Sequence, residues 1–166
     1  MMKTLGALSN ILDKAEEHAA TRADEKRPTA TRMDALLSDR LVFDQFPLLM
    51  QIRIACDNAK GGAARLSGQE PPVFEDTEKT VAELKARIEK TIDFMRTVKA
   101  EDVTGHEDRN IVLPYWGGKH LTAFEYATQY LMPNFYFHVV TAYSILRKNG
   151  VPLGKSDYIG GLPLKD

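Results

Sequence analysis

A single cysteine, Cys56, occurs in the 166 residues, so no disulfide can close within the chain. No apolar run approaches the roughly 20 residues that a membrane-spanning helix needs. Neither sign of charge is in excess: 22 Lys and Arg stand against 23 Asp and Glu, a net charge of -1. The chain therefore has no field to draw in nucleic acid, and a DNA-associated role lacks its clustered cations. The N-terminal MMKTLGALSNILDKAEEHAA breaks its apolar positions with Lys3 and Asp13 and lacks the continuous apolar stretch and small-residue cleavage site of a signal peptide. It reads as part of the fold, in a reduced, cytoplasmic compartment. HExxH, CxxC and GxSxG are all missing, which removes local support for metalloprotease, dithiol-redox and nucleophile-elbow chemistry. Gly117-Gly118 lacks the lysine and the strand-loop-helix setting of a phosphate cradle, and reads as a turn.

What is present is helical periodicity in a chain 43% hydrophobic and 27% charged, the size and composition of one domain over residues 1–166. Leu5, Leu8, Ile11, Leu12, Ala15 and Ala19 recur at spacings of three and four and predict a first amphipathic helix. Residues 23–38, with Pro28 and few apolar positions, read as a long surface connection with a turn of helix near Leu36 and Leu37. Pro47 suits the first position of a second helix over 47–67, whose stripe is Leu48, Ile52, Ala55, Ala59, Ala63 and Leu66. Thr77 or Asp76 can cap a third helix carrying Val81, Leu84, Ile88, Ile92 and Met95. Residues 110–113 and 120–122 flank Gly117-Gly118 and predict a small β-hairpin. A fourth helix over 124–148 carries Phe124, Ala127, Leu131, Phe135, His138, Ala142 and Ile145, bends at Pro133 and ends at Asn149-Gly150. The remaining tail reads as irregular. The expected fold is all-α: a four-helix bundle with a long crossover and a hairpin before the last helix.

Of the four histidines, His18, His106 and His120 fall at polar or loop positions. His138 lies inside the apolar stripe of the last helix, where an ionisable ring must find a partner or lose stability to desolvation. Asn134, one turn earlier, projects from the same face, the i, i+4 geometry of paired ligands on metal-binding helices. The plain alternative is a structural histidine bonded to Asn134, Tyr143 or a backbone carbonyl. Asp57 could ligate a metal or orient an imidazole, but at helical spacing it falls nearer Met50, Ile54 and Gly61, toward another helix or a second subunit. Cys56 lies within the main stripe and reads as a small buried hydrophobe rather than a nucleophile. Gly61-Gly62, costing around 1 kcal/mol each in a helix, imply close approach of another helix.

The segments PLLMQIRIACDNAKGGAARLSG, EPPVFEDTEKTVAELKARI, IVLPYWGGKHLTAFEYA and PNFYFHVVTAYSILRKNGVPLGKSDY together resemble a domain-of-unknown-function family within the DinB/YfiT-like superfamily of four-helix bundles, over most of the chain from about Asp34 onward. The resemblance implies a bundle with a long crossover, commonly dimeric. In the wider superfamily it implies a divalent metal held by three histidines, serving reactions of small thiol-linked substrates. On that pattern the last-helix pair corresponds to Asn134 and His138 and the second-helix position to Asn58, where relatives tend to have histidine in a motif like CDHAK. One imidazole of three remains. Asparagine is a poor ligand for Zn or Ni, so a tight site would need Asp57, water or substrate to complete it.

Two readings follow. The first is a dimeric bundle with a small-ligand pocket near His138 and a degraded metal site lined by Asn134, Asp57 and Asn58, without a tightly bound cofactor. The second is a DinB-like enzyme in which His138, with Asp57 as ligand or orienter, holds Zn or Ni.

Overall fold

The computed structural model describes residues 1–165. The stripes that periodicity picks out become the helices α1 (Met2–Thr21), α3 (Leu48–Leu66), α4 (Val81–Thr97) and α6 (Met132–Lys148), with α2 (Thr29–Ser38) in the first crossover. The hairpin strands are β1 (Asn110–Val112) and β2 (His120–Thr122), α5 is the single turn Ala123–Glu125, and α7 (Lys155–Ile159) lies in the tail. α3 packs most extensively on α6 and then on α4, while α1 covers α4 and α6. All six predicted stripe residues of α1 are buried, facing Leu48, Ile52, Ala55, Leu84, Ile88, Phe135, Val139 and Ile145 in one core. Burial of each such aliphatic side chain is worth roughly 1.5–3 kcal/mol, which is what holds the bundle.

The residues read as a surface connection with one turn of helix contain the longer α2, because Met33, Leu36 and Leu37, spaced by three and four, bury against α1 and α3. Three apolar residues suffice once a core lies beneath them. The cap of α4 is Thr80, not Thr77 or Asp76: its hydroxyl accepts from the Glu83 N–H while the Glu83 carboxylate accepts from the Thr80 N–H. Thr80→Ala removes one half of this capping box and is expected to cost about 1 kcal/mol, read by urea unfolding. The tail is not wholly irregular either. α7 packs on α1, fastened by Lys14 Nζ to Asp157 Oδ1 at 2.7 Å.

The last helix departs most from a simple stripe. Pro133 has no N–H to give the carbonyl four residues back, and the chain answers with a π-helical stretch, Tyr126–Leu131, between α5 and α6. The wider turn shifts the phase of everything before it. Phe124, expected inside, is 62% exposed and Ala127 only half-buried, while Ala123 and Tyr126 are buried beside Leu131, which the stripe did place inside. Ala123, Tyr126 and Leu131 form a second, smaller core with Ile111 and Leu113 under the hairpin. Downstream of the π stretch, Phe135, His138, Ala142 and Ile145 are buried as the period predicts. In the hairpin, Ile111 faces Leu121, and Gly117 and Gly118 (φ 60° and 82°) take the left-handed conformations that reverse the chain. Gly150 (φ 84°) follows α6 in the same conformation.

Candidate functional site

Helical spacing puts Gln51 and Asn58, seven apart on α3, on one face, and Asn134 and His138, four apart on α6, on another. The α3–α6 contact brings these faces together. Asn134 Nδ2 donates to Asn58 Oδ1 at 2.9 Å, and His138 Nδ1 lies 2.7 Å from Gln51 Oε1. Three of the four residues singled out from sequence therefore meet at one seam. The partner of His138 is neither Asn134, Tyr143 nor a carbonyl, but Gln51. A signal for it was present: a glutamine on the apolar side of the second helix, two turns from Asn58.

The orientation of Gln51 fixes the imidazole tautomer. Its Nε2 donates to the carbonyl of Phe46 at 2.8 Å, so Oε1 is the atom that meets His138. An amide oxygen only accepts, hence Nδ1 carries the proton and Nε2 the lone pair. Burial lowers the His138 pKa and keeps the ring neutral at pH 7. No hydrogen bond to Nε2 is made among the described residues. A buried N–H of Asn58, on Nδ2, is also without an acceptor. The seam thus holds one acceptor and one donor that no described side chain engages.

Asp57 does not join them. Its carboxylate turns to α4, where Oδ1 accepts from Arg87 Nη2 and Lys60 Nζ, each at 2.8 Å. This is the alternative that helical spacing left open, and it removes the only carboxylate offered to complete a metal site. The amide oxygen of Asn58 is already engaged by Asn134. Among the described residues no group of three or more His, Cys, Asp or Glu could hold a metal ion. The donor set does not fit a tightly held Zn or Ni.

The remaining candidates separate cleanly. Burial pushes the Cys56 thiol up to about 12, so it is inert as a nucleophile. His106 and His120 are exposed, and half-buried His18 lines a cleft at the end of α1. That cleft, of about 470 Å³, and two others of about 530 and 320 Å³ open away from His138. Gly61-Gly62 serve a contact within the chain: Gly62 lies against the Leu131 side chain and Gly61 beneath Arg65.

No curated protein matches the chain. A solved structure of a DinB family member from Shewanella denitrificans is 43% identical, aligned over 99% of this chain and 90% of that one with a TM-score of 0.91. No helix is long and apolar enough to cross a membrane among the described residues. A profile described as Domain of unknown function (DUF1993) matches residues 1–159. With a bundle like that of the DinB family member, and with the profile spanning nearly its whole length, the chain belongs to the DUF1993 domain family.

Proposed function

We propose that the α3–α6 seam binds a small uncharged molecule without a tightly held metal, and that the chain works as a homodimer. The observation that carries the first part is the Gln51–His138 hydrogen bond, because it leaves the lone pair on Nε2. A ligand with a weakly acidic O–H, N–H or S–H would donate to Nε2 and present an acceptor to Asn58 Nδ2. Asn134 holds Asn58 in place from the opposite side. A neutral ligand fits because no carboxylate or cation faces His138 through a hydrogen bond. Ordinary metal chemistry would have needed three converging imidazoles, and two of those positions are amides bonded to each other.

Support for a dimer comes from exposed apolar side chains. Phe43 is 89% exposed and Phe46, Phe137 and Val140 are 57, 53 and 44% exposed, more apolar area than one isolated side chain explains.

Elemental analysis of untagged, natively purified protein against His138→Ala tests the site. The expected result is metal far below one per chain in both, before and after incubation with Zn or Ni. Near one metal per chain that vanishes in His138→Ala overturns the proposal and restores a metal-dependent enzyme. Sedimentation at micromolar concentration is expected to give a dimer; a strict monomer overturns that part.

A further inference from the structure

We propose that the cleft between the end of α1 and the side of α2 is a separate binding site for a small organic anion, an oxyanion head on a short apolar stem. Its wall carries Arg22, Arg27, Arg32 and His18 around a volume of about 470 Å³. Local acids answer these cations only in part. The carboxylate in the wall, Asp39, is already held by Lys148 at 2.9 Å and Asn149 at 2.6 Å. Asp24 serves two guanidiniums at once, taking Arg32 Nη2 at 3.0 Å and lying 3.8 Å from Arg27 Nε.

A second observation points the same way. Arg32 Nε is shut off from water and has no acceptor among the described residues. A guanidinium presents its donors in a planar fork that matches carboxylate and phosphate oxygens; the Arg32 side chain is 25% exposed, so an anion in the cleft would meet its outer N–H groups, and the enclosed Nε gains an acceptor only when the side chain shifts toward that anion. Buried Ala19 and Leu36 give the cleft an apolar floor, which suits a stem behind the charged head.

This site lies apart from His138 and stands whether or not the seam binds anything. Titration calorimetry on the full chain with inorganic phosphate, hexyl phosphate and hexanoate, in a chloride buffer of fixed ionic strength, tests it. Saturable binding of at least one probe is expected, weakened about tenfold in Arg32→Gln. The same loss is expected in Arg27→Gln, whose side chain is 66% exposed and so is not needed for folding. Preference for the phosphates identifies a phosphoryl ligand and preference for hexanoate a carboxylate, and either upholds the site. No saturable heat with any probe up to about 10 mM, or equal binding in both variants and wild type, overturns it.

Discussion

Replacing Arg87 with alanine is expected to cost about 3–5 kcal/mol, the largest single loss available in this chain outside the apolar core. The Arg87 side chain is 2% exposed and ties together three parts of the chain. Nη1 donates to the Glu75 carbonyl at 3.0 Å and to Glu78 Oε1 at 2.9 Å, and Nη2 lies 2.8 Å from Asp57 Oδ1 and 3.0 Å from Asp76 Oδ1. Arg53 reaches the same Glu78 from α3, through Nε to Oε2 at 2.8 Å and through Nη2 to its carbonyl. Phe74 is covered by Lys60 and Lys90 at 4.6 and 4.1 Å from the ring centre. The segment between α3 and α4 has almost no apolar anchor of its own, so this network fixes it.

The sign of the pH dependence follows from Glu78. Burial works to raise its pKa, but the Arg87 hydrogen bond, a backbone N–H and the charges of Arg87 and Arg53 outweigh burial and hold it below the usual carboxylate value. A depressed folded-state pKa contributes stability above the unfolded value, and that contribution is lost as pH falls through the folded one. Without Arg87 the main opposing influence is gone, burial dominates, and protonating Glu78 becomes favourable. The deficit of Arg87→Ala is therefore expected to shrink as pH falls from 7 toward about 4. Arg87→Met with Glu78→Gln should recover part of it at neutral pH. Urea unfolding at both pH values reads this directly. A loss below about 1 kcal/mol that does not change with pH would mean that water already screens the network.

Adjacent glycines are expected to respond in opposite directions. A Cβ on Gly62 would stand 2.4 Å from both methyl carbons of Leu131 and 2.9 Å from its Cγ, inside a site where Leu131 is 1% exposed. Gly62→Ala should destabilise by about 1–3 kcal/mol, even against the gain of about 1 kcal/mol in helix propensity. A Cβ on Gly61 meets only the tip of Arg65, Nη1 at 2.6 Å, and a long side chain can swing aside. Gly61→Ala should be neutral or stabilising by up to about 1 kcal/mol. Gly62→Ala combined with Leu131→Ala should cost clearly less than the two separate losses added together, the mark of a direct contact. Additive losses would mean that Leu131 does not sit on Gly62.

These two glycines show how far the sequence reaches. It revealed that the second helix must be approached closely near Gly61-Gly62, because mid-helix glycine is costly unless something uses the space. Which glycine, and what approaches it, required the π stretch before Pro133, which sets the phase of Leu131. The stripes of α1, α4 and the later part of α6 were legible because a helix repeats with its own geometry whatever it packs against. The Gly117-Gly118 turn and the end of α6 were legible for the same local reason. Of α2 only the turn near Leu36 and Leu37 was legible, since its three buried residues make a longer helix worthwhile only on a core built elsewhere in the chain.

The site divides along the same line. Sequence alone determined that His138 lies on a buried face with Asn134 one turn away. Only the tertiary structure decided that Asn58 bonds to Asn134, that Gln51 fixes the tautomer of His138, and that Asp57 turns to Arg87. Those choices join residues 76, 87 and 30 positions apart, and depend on how far one helix slides along another when their side chains interlock. Local periodicity sets which face of a helix is buried; the register between helices sets which polar groups on those faces meet.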